Sequence, residues 1–318
     1  MKTILVALPV EQRHKAKLEA AAPGCRFLYV PAKDVTAAQA AQAEVIIGNI
    51  PASLIAGAEK LRLFQLNSAG ADMYLRPGVL REDVLLCNAT GAYSKAVAEH
   101  ALAMTLALQK KLPLYRDAQR EHVWRDCGTV TSMADATVLV VGLGDIGLHY
   151  ARMAKALGAY VIGLKRRPGE KPEEVDELYT TDALDAQLPR ADVIFSVLPG
   201  TPATTHLYTD ERFALMKPGA LFINCGRGSA VALEVLQRAL ETGAIAAAAV
   251  DVTETEPLPA DSPLWTLENL LLTPHIAGDF HLPETFERIV DIAAKNLALY
   301  LAGEEPLTIV DRKTGYKR

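Results

Sequence analysis

The sequence predicts an α/β protein built on parallel sheets and divided into two units. Short apolar runs alternate with longer stretches of helical period, which is the pattern of strand–helix–strand layering. This alternation comes in two series, the second more regular than the first. The chain has 318 residues, half of them hydrophobic, which is long for one core and suits two domains of ordinary size.

In chain order, the first series offers the strands TILVAL, CRFLYV, AEVIIG, LRLFQLN and VLLCNA, several of them followed by glycine or small polar residues. A long helical pattern begins near Ser94, SKAVAEHALAMTLALQKKLPLYRDAQREH. Pro113 is expected to kink or break it, because proline lacks a backbone donor and clashes with the preceding turn. The second series runs ATVLVVG, YVIGL, ADVIFSVL, ALFINCG, AAAAVDV and NLLLTPH, with the helical segments GLHYARMAKALG and ALEVLQRALETG between strands. An amphipathic helix, LPETFERIVDIAAKNLALYLAGE, precedes a short tail. The sequence has no exact repeat and no low-complexity segment.

A net charge of −5 without a basic face argues against nucleic acid and against anionic membranes. The apolar start MKTILVALPV stops at Pro9 and Glu11 and reads as a first buried strand rather than a signal peptide. No apolar stretch is long enough to span a bilayer, and even AIAAAAVDV is cut by Asp251. Cys25, Cys87, Cys127 and Cys225 are scattered, with no CxxC pair and no histidine at ligand spacing. Reduced thiols in a cytoplasmic protein are therefore expected, with no disulfide framework and no metal.

The segment TVLVVGLGDIGLHYARMAKALG sets Gly142, Gly144 and Gly147 between a β-rich run and an amphipathic helix, with Asp145 and Ile146 opening the helix. A tight turn, close backbone approach to a pyrophosphate and close helix–strand packing all require glycine. The free N–H groups and positive dipole end of the helix then suit phosphates. A glycine turn that merely connects elements is the duller reading; the strand–turn–helix context favours a dinucleotide site. About 20 residues downstream, such a site usually carries an acid that binds the adenosine ribose. Here VIGLKRRP places Lys165, Arg166 and Arg167 there instead. Three cations suit a 2′-phosphate, which Arg can bind in a fork, so NADP is expected and NAD is the lesser alternative. The duller reading is a solvated charge run.

Three later segments carry chemistry-bearing residues at strand ends. LFINCGRGS places Arg227 after Cys225 and Gly226, VDVTETEPLP carries Asp251 and Glu256, and LLLTPHIAG carries His275. Each lies where a loop leaves the carboxyl edge of a parallel sheet, the usual ligand side.

With GLGDIG, NCGRGS, DVTETEPLP and TPHIAG in this order, the sequence closely resembles the D-isomer-specific 2-hydroxyacid dehydrogenase family. NSAGAD and NATGAYSKAVAEHALA match as well, and the resemblance extends over essentially the whole chain. It points to the NADP-preferring, glyoxylate/hydroxypyruvate reductase-like branch. It implies a Rossmann-type parallel-sheet nucleotide domain, residues 98–278, inserted into a flavodoxin-like α/β substrate domain formed by residues 1–97 and 279–318. It also implies an active cleft between the two and a homodimer formed through the nucleotide domains.

The resemblance further implies the roles of individual residues in reducing a small 2-oxo acid to the D-2-hydroxy acid. His275 would be the general acid, protonating the developing alkoxide. Glu256 would hydrogen-bond His275, orient it and favour its protonated form. Arg227 would clamp the carboxylate and polarise the carbonyl. The main-chain N–H groups of Ala69 and Gly70 would complete the carboxylate site. Asp251 would accept from the nicotinamide carboxamide, and Leu198, Pro199, Thr205, Cys225, Gly226 and Gly278 would also line the cofactor. His14, His100, His122, His149, His206 and His281 are expected to be structural or surface residues.

The sequence departs from the family pattern in places. In HIAGDFHLPE, Asp279 stands where the family often has Ser or Thr; it is expected to cap the last helix, whose start Phe280 to Leu282 delay, rather than to alter substrate preference. Trp124 is expected to pack between helices rather than reach a partner subunit's site. No regulatory extension is expected after Arg318, so phosphoglycerate dehydrogenases with regulatory tails are expected to be poor models. The residue before Pro257 is Glu, not the Gln of formate dehydrogenases. Substrate specificity is expected from the loops around Ile50, Asn67 to Ala71, Tyr93 and Asp279 to His281. The competing reading is a dinucleotide-sensing, co-repressor-like interaction protein on the same fold; the intact Arg227, Glu256 and His275 favour the enzyme.

Overall fold

The computed structural model describes residues 1–315. The chain forms two units, Met1–Tyr93 joined by the segment from Phe280 on, and Ser94–Asp279 between them. The sequence set these crossings at 97/98 and 278/279. The division at 93/94 reflects the helix Ser94–Gln109, which packs as a whole on the second unit.

The first unit runs β1 (Thr3–Val6), α1 (Gln12–Ala21), β2 (Arg26–Tyr29), α2 (Ala37–Gln42), β3 (Val45–Ile47), α3 (Ala52–Ala56), β4 (Leu63–Gln65) and β5 (Leu85–Cys87). Its five strands are parallel in the order β2-β1-β3-β4-β5. The β3 and β4 strands are wholly buried, which is why they read as unbroken apolar runs. Phe64 and Tyr74 meet edge to face at 4.8 Å beneath the sheet's carboxyl edge loops. A capping box starts α2, the Gln39 N–H donating to Thr36 Oγ1 while the Thr36 N–H donates to Gln39 Oε1.

The second unit opens with α4 (Ser94–Gln109) and α5 (Leu112–Arg120). The chain breaks at Lys111, which takes a left-handed φ of 55°, and Pro113 lies in the first turn of α5. Proline is tolerated there because its missing N–H would have no intrahelical acceptor. Then follow β6 (Thr137–Val141), α6 (Asp145–Ala156), β7 (Tyr160–Lys165), β8 (Glu177–Thr180), α7 (Leu184–Gln187), β9 (Val193–Ser196), α8 (Asp210–Leu215), β10 (Leu221–Asn224), α9 (Leu233–Glu241), β11 (Ala247–Val250) and β12 (Leu270–Leu272). The seven strands are parallel in the order β12-β11-β10-β9-β6-β7-β8. The sequence reading missed β8, a four-residue edge strand, ELYT, that is only half-buried and so lacks an apolar run. Leu139, Ile162, Ile194, Phe222 and Ala248 belong to the core of this unit, and Tyr208 packs edge to face on Phe222 at 4.8 Å.

The chain then returns to the first unit as α10 (Pro283–Ala302), which packs on α1 and β4. A buried amide network fixes the return: Asn296 Nδ2 donates to Gln65 Oε1 at 2.7 Å and to Thr308 Oγ1 at 2.8 Å. Gln65 Nε2 in turn donates to the carbonyls of Leu66 and Asn88, so these two buried amides are partnered.

Two expectations are overturned. Asp279 does not cap the last helix: Leu282 occupies the N-cap position without a side-chain bond, and Pro283 begins the helix. Three residues separate Asp279 from the helix, and Asp279 itself closes the second unit with a φ of 42°. Trp124 does not pack between helices; its side chain is fully exposed. The α5 helix ends at Arg120 and residues 123–132 carry no regular structure, so no helix pair stands there to receive the ring. Among the described residues, no helix is long and apolar enough to cross a membrane.

Candidate active site

The predicted residues of the second unit leave the carboxyl ends of its parallel strands. After β6 the chain turns through Gly142 to Gly144, the N-cap of α6. The N–H groups of Gly142 and Leu143 both donate to the carbonyl of Leu164, at 3.1 and 2.8 Å, which joins the glycine turn to the end of β7. A Cβ on Gly147 would lie 2.3 Å from the Gly142 carbonyl oxygen, so only glycine lets the helix approach this closely. The N–H groups of Asp145, Ile146 and Gly147 begin a twelve-residue helix, where they lack intrahelical acceptors. This cradle, at the positive end of the α6 dipole, fits a dinucleotide pyrophosphate. Lys165, Arg166 and Arg167 directly follow Leu164. The Lys165 amine closes its own loop on the carbonyl of Glu170 at 3.2 Å, while Arg166 is half-buried and Arg167 exposed.

The chain after β10 carries Arg227. The side chain of buried Asn224 shapes this loop, its Oδ1 accepting from Gly226 N–H and its Nδ2 donating to the Arg227 carbonyl, both at 3.1 Å. Arg227 Nη1 donates to the Gly226 carbonyl at 2.9 Å. A Cβ on Gly228 would fall 1.9 Å from the carbonyl carbon of Thr253, so the absence of a side chain lets this loop lie against the loop after β11.

That second loop carries Asp251 and Glu256. Asp251 is 2% exposed and holds the loop that follows β12: Oδ1 accepts from Thr273 Oγ1 at 2.6 Å and from Ile276 N–H at 2.9 Å, and Oδ2 accepts from Ala277 N–H at 3.0 Å. Its own carbonyl accepts the N–H of His275 at 2.7 Å. His275, at a φ of 56°, thus sits on a turn pinned by donors on both sides. Its Nδ1 meets Glu256 Oε2 at 2.7 Å, and Glu256 Oε1 accepts from the Thr253 N–H at 3.0 Å. An ionised carboxylate only accepts, so Nδ1 carries the hydrogen of this bond and Nε2 is left for chemistry.

The sequence reading did not foresee the roles of Thr273 and His100. The Thr273 hydroxyl spends its one hydrogen on Asp251 and accepts from His100 Nε2 at 3.1 Å, which brings a helix residue of α4 into the brace. The neighbouring Thr-Pro-His run was the only local signal. Burial, together with the nearby Asp251 charge, pushes the Cys225 thiol well above its ordinary value, so it is an inert lining group. Leu198 is buried against Gly226, and the carbonyl of Pro199 accepts from Thr204 Oγ1 at 2.6 Å. Thr205 is exposed, its hydroxyl donating to the Thr201 carbonyl, and Gly278 follows Ala277 on the histidine loop.

In the first unit, Ala69 and Gly70 lie on the loop after β4. Asn49 and Asn67 clamp the loop's start through reciprocal N–H to Oδ1 bonds of 2.6 and 3.1 Å. Asn88 Nδ2 donates to the Ala69 carbonyl and Ser68 Oγ to the Gly70 carbonyl, while Tyr93 bonds the Asn67 carbonyl. Among the described residues, neither the Ala69 nor the Gly70 N–H donates to any group. Two adjacent unengaged peptide donors suit an anion. Elsewhere, buried His14 pairs with Glu287 at 3.0 Å, and His206 pairs with Glu254. No group of His, Cys, Asp and Glu able to hold a metal occurs among the described residues.

The model of the D-isomer specific 2-hydroxyacid dehydrogenase NAD-binding domain matches residues 102–277. The chain belongs to the D-isomer specific 2-hydroxyacid dehydrogenase family, and is an NAD(P)-dependent oxidoreductase of that family. A D-3-phosphoglycerate dehydrogenase of Mycobacterium bovis is 34% identical over 88% of this chain, which spans 53% of that relative's length. A D-isomer specific 2-hydroxyacid dehydrogenase from Xanthobacter autotrophicus Py2, solved with NADPH and MES, is 31% identical with a TM-score of 0.84, covering 99% of both chains. An NADPH-dependent glyoxylate/hydroxypyruvate reductase from Sinorhizobium meliloti, solved with NADP and sulfate, is 27% identical with a TM-score of 0.84, covering 99% of this chain and 100% of that one.

Proposed function

We propose that this protein reduces small 2-oxo acids of the glyoxylate and hydroxypyruvate kind to D-2-hydroxy acids, with NADPH as its preferred cofactor. The His275–Glu256 pair carries the reading: one ring nitrogen is held by a carboxylate at 2.7 Å and the other remains to hold a proton. When bound, the dinucleotide supplies the hydride. His275 protonates the oxygen that becomes the hydroxyl, and Glu256 keeps the imidazole oriented and offsets its positive charge. Arg227 binds the substrate carboxylate and polarises the carbonyl, with the Ala69 and Gly70 N–H groups as further donors to the carboxylate.

The second unit is the nucleotide domain in this reading and the first is the substrate domain. The NADP preference rests on Arg166 and Arg167 after β7, where Lys165 stands at the position that a ribose-binding acid usually takes. The NADPH in the Xanthobacter relative agrees with it. Asp251 Oδ2 accepts the Ala277 N–H and keeps a lone pair for the carboxamide. We infer a homodimer through the nucleotide units, supported by exposed Leu112, Tyr115, Val123, Trp124 and Val130 on one stretch of that unit. Light scattering of the purified protein tests it. The four free cysteines suit the reducing cytoplasm.

Steady-state rates with NADPH and NADH over a panel of 2-oxo acids test the whole. Turnover with NADPH at the higher kcat/KM is expected. A higher value with NADH would remove the NADP assignment, and tight nucleotide binding without turnover would replace the enzyme with a dinucleotide sensor.

A further inference from the structure

A cavity of about 580 Å³ opens at the carboxyl edge of the five-stranded sheet, wholly within the first unit. Topology puts it there. The strand order reverses between β1 and β3, so the loops after these strands diverge and leave a crevice at the switch point. Leu8 and Val10 line it from the loop after β1, Asn49 from the loop after β3, and Asn67 from the loop after β4. Phe280 adds apolar surface.

Two cations face this crevice, Lys15 from α1 and Lys33 from the short turn after β2. Neither forms an ion pair among the described residues, and no Asp or Glu lines the cavity. The Lys15 amine stands 4.9 Å from the centroid of the Tyr29 ring, which places a positive charge over an apolar wall. Asn67 spends its Oδ1 and its peptide N–H on Asn49, while its amide nitrogen donates to no group among the described residues. Apolar walls, two unpaired ammonium groups and a spare amide donor together suit a short carbon chain that ends in an anion.

The crevice adjoins the paired N–H groups already described. Asn67 precedes Ala69 by two residues, a span of at most about 7 Å along the chain. A 2-oxo acid whose first carboxylate rests on Ala69 and Gly70 can extend its far end past Asn67 towards the lysines. We propose that this crevice is the subsite for the far end of the substrate, and that it selects 2-oxo acids bearing a second anionic group, a carboxylate or a phosphate. The proposal rests on the 2-oxo acid reductase reading.

The test uses the full chain with saturating NADPH and two matched pairs: 2-oxoglutarate against 2-oxopentanoate, and 3-phosphohydroxypyruvate against hydroxypyruvate. At least one dianionic member is expected to exceed its partner in kcat/KM by about tenfold, the scale of one or two charge-assisted contacts at a solvated site. Which pair shows the excess tells carboxylate from phosphate. The double variant Lys15→Met/Lys33→Met is expected to bring that ratio near one while leaving the neutral member within about twofold. Equal or better turnover of the neutral member in both pairs overturns the proposal, as does a ratio that survives the double variant. If no 2-oxo acid turns over, the reductase reading fails, and calorimetric titration with glutarate judges the crevice by itself. Binding that weakens about tenfold in the double variant supports the subsite. Absent binding, or equal binding by both proteins, overturns it.

Discussion

His275 presents Nδ1 to Oε2 of Glu256 at 2.7 Å, and the other oxygen of Glu256 is held by the Thr253 N–H at 3.0 Å. The carboxylate is thus fixed from one side while it fixes the imidazole on the other. General acid catalysis contributes about 10²–10⁴-fold, so His275→Ala is expected to lower kcat by that factor. Nucleotide affinity, read by fluorescence titration, should stay nearly unchanged. Glu256→Gln keeps an acceptor but loses the charge, and should cost about tenfold in kcat. Unchanged kcat in the histidine variant would remove His275 from the reaction.

Asp251 braces the histidine turn with three hydrogen bonds while almost wholly buried. Asp251→Ala leaves the N–H groups of Ile276 and Ala277 without their acceptor, a penalty of about 2–4 kcal/mol. A unit of this size should then melt about 5–10 °C lower, as scanning calorimetry would show. The activity loss should exceed that expected from stability alone, because the turn carrying His275 loosens.

Gly228 has no space for a Cβ, which would lie 1.9 Å from the Thr253 carbonyl carbon. Gly228→Ala should therefore push the Arg227 loop off the loop that carries Glu256, costing about 1–3 kcal/mol of stability. The more telling measurement is kcat/KM, which should fall although no functional side chain is removed. Full activity with an unchanged melting temperature would show that the two loops do not need this contact.

Arg166 and Arg167 follow the carbonyl that anchors the glycine turn. Replacing both with alanine should raise the Kd for NADPH about 10–100-fold, the scale of charge-assisted bonds to phosphate, with NADH altered within about threefold. A loss shared equally by the two nucleotides would mean that the arginines serve the fold or the pyrophosphate instead.

Glu177, on β8, ties the sheet edge together. Arg190 grips its carboxylate as a fork at 2.5 and 2.9 Å, and the hydroxyls of Tyr160 and Tyr179 add to it. These bonds, Arg190 first, hold the carboxyl far below its ordinary 4.5. In the unfolded chain the group returns to its ordinary value. The network's contribution is therefore full above that value and drains away as the pH falls from it towards the folded one. Glu177→Gln should flatten the fall in melting temperature as the pH drops below about 5. An identical acid profile in the variant would show that this network does not govern acid stability.

Much of the fold was legible in the sequence because its central strands are buried on both faces. β3, β4, β9 and β10 read as apolar runs for that reason, whereas half-buried β8 escaped notice. The glycine turn and the Arg227 loop were legible because each follows a buried strand, β6 and β10, whereas Glu256 and His275 stood out through the ordered motifs DVTETEPLP and TPHIAG. Trp124 and Asp279 were misjudged because nothing local tells whether a helix or a cap position will be there to meet them. The brace of Asp251, Thr273 and His100, and the crevice of Lys15, Lys33 and Asn67, join residues far apart in the chain, so that local pattern does not show their contacts.

By itself the sequence determined the types of elements and the sheet edge at which the candidate site residues emerge, since periodicity and turn chemistry act over a few neighbouring residues. The tertiary structure alone decided which donors meet which acceptors. Those meetings depend on strand order and register: only once β11 and β12 lie side by side do Asp251 and Glu256 come within hydrogen-bond reach of the His275 turn.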